Sequence, residues 1–287
     1  MKKSKLSIGI ILSLLSAFVY AFTVIIEKKY ISDMSSEKIL FLMYLGAGIG
    51  LYIIHLFSKK RPSKKNKITT KEVPKIIIII LCELISSFLI IEAIKYLNTS
   101  LVSLLEIFEI AATSICAYFI FNNPIDKEEK MAIVLVLIAS FLLNYKQNIF
   151  DDFGIGSFFV ILACIFWGIS NNVTALISEK EPAFFTSIKC TSVAVLYLLI
   201  IVIKSDLTIL YPELLLFGFL TYGLGILFYA MSTRYLGASR STLIFSFCPI
   251  FGVILSIILY GDKITTTFII SFILMVISIL LVNKAEN

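Results

Sequence analysis

Two glutamates placed three residues apart in an apolar run are the most chemically informative feature of this sequence. Glu106 and Glu109 lie in the stretch SLLEIFEIAATS, and side chains three positions apart share one face of a helix. Ionisable groups inside a hydrocarbon layer are costly and mark functional sites by default. Two neighbouring carboxylates in a low dielectric resist simultaneous ionisation, so one is expected to hold a proton. Such a pair suits a proton relay or a site for a cationic group.

Two further glutamates, Glu83 and Glu92, share the preceding apolar run. Glu92 lies three residues before Lys95, where a simple interfacial ion pair explains it. Glu83 has two interpretations. Lys189 lies at a similar depth in the membrane and would neutralise it. Alternatively, Tyr222 faces Glu83 across a cavity, where a hydroxyl and a carboxylate together would hold an amine. The sequence does not decide between them.

Aromatic and amide side chains accompany the carboxylates. Trp167 and Tyr20 occupy equivalent positions in two apolar runs, and Asn171 lies one helical turn beyond Trp167. Aromatic walls with a few polar groups are typical of small-molecule pockets and offer cation–π contacts, although aromatic residues also pack helices. The predicted substrate-binding residues are Tyr20, Glu83, Glu106, Glu109, Trp167, Asn171 and Tyr222.

The elements that must position these residues are membrane helices. Hydrophobic residues make up 59% of the chain and charged residues 15%, against roughly 45–50% and 25% in soluble domains. The apolar runs have about the 20 residues that cross a bilayer. The first run is interpreted as a retained helix, because no small-residue cleavage site ends it. Ten spans are predicted, at 6–26, 38–57, 76–97, 99–121, 129–147, 154–178, 183–203, 213–234, 238–260 and 265–283.

The chain also repeats itself. At a constant shift of 139 positions, Tyr96 meets Tyr235 and the following apolar runs align without a gap. A long gapless echo indicates one structural unit used twice. We predict two five-helix units, residues 1–147 and 148–287. Because five is an odd number, the second unit enters the membrane inverted relative to the first, as in secondary transporters with a midplane site between their halves.

The two copies differ at the position of the carboxylate pair. Where the first copy has Glu106 and Glu109, the second has Phe245 and Cys248. We expect this mismatch to carry the function that distinguishes the protein.

Basic residues predict the orientation and the partners. With a cytoplasmic N-terminus, seventeen Lys and Arg residues fall inside and seven outside, so both termini are predicted to be cytoplasmic. The protein itself is predicted to lie in the cell membrane. The net charge is +6, and its basic residues crowd the connection 58–75, which argues against nucleic-acid binding. Five dispersed cysteines and a single histidine predict no metal site and no cofactor. The expected partners are a small-molecule substrate, the lipid bilayer and protons, and a homodimer stays open.

Three short motifs mark the second unit: YLGAS at 235–239, GDKIT at 261–265 and ACIFWGIS at 163–170. Together with the two five-helix repeats, they resemble the EamA branch of the drug/metabolite transporter superfamily. The first unit departs from the pattern, with NNP at 122–124 where the family has Gly-Glu-basic. The resemblance implies that helices 1, 3, 4, 6, 8 and 9 line a central cavity, while helices 5 and 10 pack outside it.

We therefore expect an all-α polytopic membrane protein that works as a secondary active transporter by alternating access. Its predicted substrate is a small polar metabolite such as an amino acid or a related amine, and export is implied by the resemblance. Proton coupling is a hypothesis based on Glu106 and Glu109. The alternative substrate is an organic cation such as choline, a polyamine or a drug. An enzyme is not expected, because the sequence has no P-loop, nucleophile elbow or metal motif.

Overall fold

The computed structural model describes residues 2–58, 68–97, 102, 105–120, 122, 125–144, 154–205, 211–248, 250–252, 254–255 and 266–284. Within these ranges the regular structure is entirely helical, which confirms the predicted all-α class. The helices are α1 (Lys2–Tyr30), α2 (Ser36–Phe57), α3 (Val73–Tyr96), α4 (Phe108–Phe119), α5 (Lys127–Asn144), α6 (Ile155–Leu176), α7 (Pro182–Ile203), α8 (Leu214–Phe245) and α9 (Thr266–Lys284).

Among the described residues, six helices are long and apolar enough to cross a membrane: α1, α2, α3, α6, α7 and α8. The apolar helix α4 has 12 residues. The described part of the chain therefore does not establish the predicted total of ten spans. Large apolar side chains such as Phe57 and Ile203, each 81% exposed, lie on the outside of the bundle, as expected of a surface that faces lipid.

Helix α8 joins two predicted spans, 213–234 and 238–260. It contains three consecutive segments, Leu214–Gly218, a π-helical turn at Phe219–Gly223, and Leu224–Phe245. The predicted boundary is a break at Gly237, where φ is 77° and ψ is 178°. This conformation is essentially confined to glycine, so a single residue separates the two helical segments. The motif at 261–265 and residues 123–124 of the NNP segment, both used in the sequence analysis, lie outside the described residues.

Polar contacts mark the two ends of the bundle, one between the repeats and one within the second repeat. Tyr30, at the end of α1, donates a hydrogen bond to Glu213 just before α8 (3.2 Å). At the opposite end, Arg234 donates to the backbone carbonyl oxygens of Ser178 (2.6 Å) and Lys180 (2.5 Å) in the turn after α6. We call these the Tyr30 end and the Arg234 end.

Glu72 fixes the start of α3 at the Arg234 end. Its carboxylate accepts hydrogen bonds from the backbone N–H and the hydroxyl of Thr69 (2.7 and 2.6 Å), and it pairs with Lys180 at 3.1 Å. The Thr69 hydrogen bonds and the Lys180 ammonium hold the pKa of Glu72 down at about 2. The ion pair between the repeats therefore persists throughout the physiological pH range.

Each repeat packs its first helix against the other repeat. Helix α1 lies on α8, and α6 lies on α3. A methyl group at Gly9 would come within 2.7 Å of the Leu236 side chain, and one at Gly156 within 2.7 Å of Leu97. Because equivalent residues meet in both halves, the repeats interlock about a shared centre. Helices α2 and α7 also pack together, and α5 pairs with α9.

Helices α2 and α8 cross at very short range. A Cβ atom at Gly46 would lie 1.9 Å from the Leu215 carbonyl oxygen, and one at Gly218 would lie 2.1 Å from that of Met43. Any larger residue at either position would push the backbones apart. These glycines therefore permit close helix packing, which membrane helices commonly achieve with small residues.

Candidate functional site

A cavity lies between the two repeats and is lined by residues of α1, α3, α4, α6, α7 and α8 and of the turns beside α4 and α8. Its empty space is about 950 Å³, including the part open to solvent. All seven predicted binding residues line it; that they bind a substrate stays a prediction. The expected set of cavity helices was incomplete, because α7 contributes Phe185, Thr186 and Lys189. No described residue of α5 or α9 lines the cavity.

The cavity extends toward the Arg234 end. Its lining includes Thr174 near the end of α6 and Phe185 near the start of α7, whereas the Tyr30 side stops at Tyr20 and Tyr222. Beyond these tyrosines, polar pairs join the helices: Tyr30 with Glu213 (3.2 Å), Tyr211 with Asp33 (3.0 Å), and Lys204 with Glu37. The described residues therefore close the Tyr30 end.

Glu83 is neutralised by Lys189, which resolves the alternative that the sequence left open. The Lys189 ammonium lies 2.7 Å from the Glu83 carboxylate, and both side chains are buried. Tyr44 donates a hydrogen bond to the other carboxylate oxygen of Glu83 at 2.7 Å. Glu83 is thus engaged and does not hold an amine together with Tyr222. Glu92 pairs with Lys95 at 2.5 Å, which confirms the predicted ion pair, and it also accepts a hydrogen bond from the Ser36 hydroxyl of α2 (2.5 Å).

Glu109 has an amide partner. The side-chain nitrogen of Asn171 on α6 donates to Glu109 at 2.6 Å and lies 3.4 Å from the hydroxyls of Thr113 and Thr242. Glu109 itself is 8% exposed. The Asn171 amide is thus directed toward α4, where the buried glutamate needs a donor.

Glu106 is different, because one of its carboxylate oxygens has no partner. Its Oε1 atom is buried and makes no hydrogen bond to any described residue. Tyr20 lies close enough to act on Glu106 electrostatically. Buried polar atoms are nearly always satisfied, and a carboxylate oxygen forms its strongest hydrogen bonds with charged donors. This atom is therefore ready to accept a donor from a bound cation.

Glu106 lies in a turn rather than in a regular helix. The amides of Glu109 and Ile110 donate to the carbonyls of Glu106 (2.9 Å) and Ile107 (3.0 Å), a three-residue spacing that interrupts the α-helical ladder. The second repeat has a similar turn, where Phe247 donates to the carbonyl of Ile244 (3.2 Å). Interrupted helices are the usual construction of transporter sites, because they place irregular backbone beside a cavity.

Aromatic rings form one side of the cavity next to Glu106. The ring centroids of Tyr20 and Phe245 are 5.2 Å apart, and those of Tyr229 and Phe245 are 5.7 Å apart. Trp167 adds a further ring from α6. Aromatic faces attract cations, so the ring faces and the Glu106 carboxylate favour the same kind of ligand.

Tyr229 and Glu27 are among the polar residues of this region that were not predicted. Tyr229 lines the cavity, and its hydroxyl shares a hydrogen bond with Thr242 (2.6 Å). Glu27 is 1% exposed and accepts a hydrogen bond from Tyr222 (2.8 Å). The predicted first span ends at residue 26, just short of Glu27. A usable signal exists in α1, where polar residues recur every three or four positions on one helix face: Ser13, Ser16, Tyr20, Thr23 and Glu27.

No group of three or more His, Cys, Asp or Glu side chains that could hold a metal occurs in the described part of the chain. The cavity instead offers carboxylates, hydroxyls, one ammonium and aromatic rings. Such a set can bind and release a small organic molecule without forming covalent bonds.

Comparisons with known proteins agree with this geometry. The model of the EamA-like transporter family matches residues 7–145 and again residues 154–284. One solved crystal structure, described only as that of a protein, aligns with 99% of this chain and 100% of its own, with a TM-score of 0.79 and 12% sequence identity. At that identity the likeness shows the fold alone. No curated protein matches the chain in sequence.

Proposed function

Since the chain belongs to the EamA-like transporter family, and is thus a multi-pass membrane transporter, we propose that it exports a small polar metabolite such as an amino acid or a related amine. Transport proceeds by alternating access across the cell membrane and is coupled to protons. The observation that carries the proposal is the unpartnered, buried Oε1 atom of Glu106 in a cavity between the repeats. An ammonium group there would satisfy the carboxylate and gain contact with the aromatic rings.

The direction of opening supports loading from the cytoplasm. The cavity extends toward the Arg234 end, and polar pairs close the Tyr30 end. The distribution of Lys and Arg predicts that the Arg234 end is cytoplasmic. Release on the other side then requires the contact of Tyr30 with Glu213 and that of Lys204 with Glu37 to separate.

An organic cation such as choline, a polyamine or a drug is the second candidate, and Lys189 favours it. Lys189 is the one cation among the described lining residues, and Glu83 already neutralises it at 2.7 Å. An amino acid would bring a carboxylate that needs an opposite charge in a low dielectric. A cation without a carboxylate needs only what Glu106 and the rings supply.

Transport in liposomes tests both candidates. The purified chain is reconstituted, and uptake of radiolabelled amino acids is compared with uptake of quaternary amines and polyamines, after a thermal-shift screen has ranked them. We expect saturable uptake with counter-flow and a response to a pH gradient. Liposomes without protein and the Glu106→Gln variant are the controls.

The outcomes separate the alternatives. Uptake of amines that carry no carboxylate, with none of amino acids, selects the organic-cation candidate. Conductance without saturation in planar bilayers would contradict a transporter mechanism. Failure of every compound to stabilise the protein or to move across the membrane would contradict the proposed function.

A further inference from the structure

Glu27 is a buried carboxyl that lies just beyond the cavity, on the side of the closed end. It is not a lining residue, yet Tyr222, which does line the cavity, donates a hydrogen bond to its Oε1 atom at 2.8 Å. Glu27 is 1% exposed. A single hydrogen bond therefore separates this carboxyl from the substrate space.

No described cation pairs with Glu27. The neighbouring lysines on α1 are directed elsewhere: Lys28 donates to the carbonyl of Ile94 (2.9 Å), and Lys29 donates to the Tyr30 hydroxyl (3.4 Å). The titratable groups that act on Glu27 or feel its charge are Tyr20 on α1, Glu106 before α4, Tyr197 on α7 and Tyr222 on α8. Hydroxyls and another carboxylate cannot neutralise an anion. A carboxyl in such surroundings takes up a proton instead of remaining charged.

The contact between Glu27 and Tyr222 joins the two repeats at an irregular segment. Glu27 belongs to α1 of the first repeat, and Tyr222 belongs to the π-helical turn Phe219–Gly223 of α8 in the second. Single π-helical turns within α-helices are rare and occur frequently at functional sites. Such a turn can return to regular α-helix, which would rotate Tyr222 away from Glu27.

Glu27 also lies between the cavity and the contacts that close the Tyr30 end. Tyr30, one turn further along α1, bonds to Glu213, and Tyr211 bonds to Asp33. Opening this end must separate these pairs and admit water to the level of Glu27. The carboxyl is thus shielded in the described arrangement, and opening of this end would expose it to the opposite side of the membrane.

We propose that Glu27 is a proton-binding site distinct from the substrate carboxylates Glu106 and Glu109, and that it takes up its proton from the Tyr30 side and releases it into the cavity through Tyr222. The inference rests on the proposed transport function and identifies where its coupling proton is carried. In the release step the Glu27 acid gives its proton to the Tyr222 oxygen while the Tyr222 hydroxyl proton passes to cavity water. The products are a Glu27 carboxylate, which accepts a hydrogen bond from the intact Tyr222 hydroxyl, and a hydrated proton.

Infrared difference spectroscopy of the full chain in lipid nanodiscs, between acidic and alkaline pH, detects this site without any substrate. The measurement uses the variant E106Q/E109Q, in which two other buried carboxyls are silent. We expect a carbonyl band of a protonated carboxyl that disappears on adding E27Q and persists on adding E92Q. Each variant is first shown to have the wild-type unfolding temperature within a few degrees. Carbonyl bands that are all unchanged by E27Q would overturn the proposal, because none of them would then belong to Glu27.

Transport then separates this inference from the proposed function. In liposomes that take up an amine, a pH gradient is expected to raise the rate for wild type and for E92Q. It is expected to have no effect on E27Q, which retains amine binding as reported by Trp167 fluorescence. A rate of E27Q that still follows the gradient as in wild type overturns the role of Glu27 and leaves the transporter intact. An infrared band at Glu27 without transport of any compound removes the proposed function and keeps the proton site.

Discussion

Two acidic regions of one cavity, around Glu83 and around Glu106, differ in how their charge is balanced. Glu83 has a cation at 2.7 Å, Lys189, and a hydroxyl donor at 2.7 Å, Tyr44. Glu106 and Glu109 form no ion pair with a described residue, and Oε1 of Glu106 lacks even a hydrogen bond. Glu83 and Glu109 are 5% and 8% exposed, and the Oε1 atom of Glu106 is buried. The presence of charged and hydrogen-bonding partners, rather than burial, therefore distinguishes a structural carboxylate from one that is available to a ligand.

The surrounding helices account for this difference. Glu83 lies where α2 and α7 approach α3, and each neighbour contributes one side chain to it. Glu106 precedes α4 in a turn that faces the aromatic side of the cavity, and its repeat equivalent is Phe245. The inverted symmetry therefore places a hydrophobic ring, not a cation, opposite the acidic pair.

Removal of Lys189 should have the largest effect on the stability of the fold. Lys189→Met leaves the buried Glu83 carboxyl without its cation, and breaking a buried pair costs about 3–5 kcal/mol. We expect a large fall in the thermal unfolding midpoint in detergent. The matched control is Lys95→Met, whose side chain is 40% exposed and whose loss should cost about 1 kcal/mol or less.

A double variant shows whether charge is the cause. In Glu83→Gln with Lys189→Met, neither charge remains, so much of the lost stability should return. A single Lys189→Met variant that unfolds at the wild-type temperature, or a double variant no better than the single, would mean that the ion pair does not stabilise the fold.

Glu106→Gln tests the other region, where binding rather than stability should change. A hydrogen bond to a charged group contributes about 1.5–3 kcal/mol, so an amine should bind roughly 10- to 150-fold more weakly. The unfolding temperature should barely move, because Oε1 has no partner to lose. Isothermal titration with an amine identified in the thermal-shift screen measures the affinity. An unchanged dissociation constant would remove Glu106 from the binding site.

Asn171→Ala should have an intermediate effect. It removes the donor that lies 2.6 Å from Glu109, and an unsatisfied buried group costs about 1–3 kcal/mol. A double-mutant cycle with Glu109→Gln isolates this contact. We expect the stability loss caused by Asn171→Ala to shrink in the Glu109→Gln background. Equal losses in both backgrounds would show that the asparagine acts through packing alone.

Glu92→Gln should have the smallest effect. Glu92 pairs with Lys95 in a partly exposed, i to i+3 arrangement, and such pairs contribute about 0.2–1 kcal/mol. Both the unfolding midpoint and the affinity for the amine should stay close to the wild-type values. A marked loss of affinity in Glu92→Gln, measured by the same titration, would show that amine binding responds to distant charge. It would contradict the distinction between the Glu83 and Glu106 regions.

Much of this site was predictable from the sequence, for a physical reason. Ionisable and aromatic residues in apolar runs have to face protein or water, so the seven predicted residues gather at one cavity. Depth along a helix can be counted from the sequence, which placed Lys189 level with Glu83. The direction in which a side chain points around its helix axis does not follow from such a count, so the sequence alone could not decide whether Glu83 and Lys189 form an ion pair.

Other features depend on tertiary contacts that no local pattern contains. The stretch of Glu27, Lys28 and Lys29 is polar enough to end a predicted span. Glu27 is buried in the structure and bonds to Tyr222, 195 positions away in the sequence. The turn at Glu106 likewise could not be predicted, because residues 102–110 contain no glycine or proline that would interrupt a helix. By contrast, Gly237 was placed correctly at a boundary, although the structure makes that boundary a single residue.

The central claim is that Glu106 binds the cationic group of the substrate, and Trp167 allows it to be tested directly. Trp167 is the only tryptophan of the chain and lines the cavity, so its fluorescence reports occupancy. Wild type and the E106Q and E92Q variants, in nanodiscs, are titrated with amines and with their neutral isosteres, for example choline and 3,3-dimethylbutanol. Wild type and E92Q should prefer the cation by at least about tenfold, and E106Q should lose this preference. An E106Q variant that still prefers the cation as strongly as wild type would contradict the role of Glu106 in binding the cationic group.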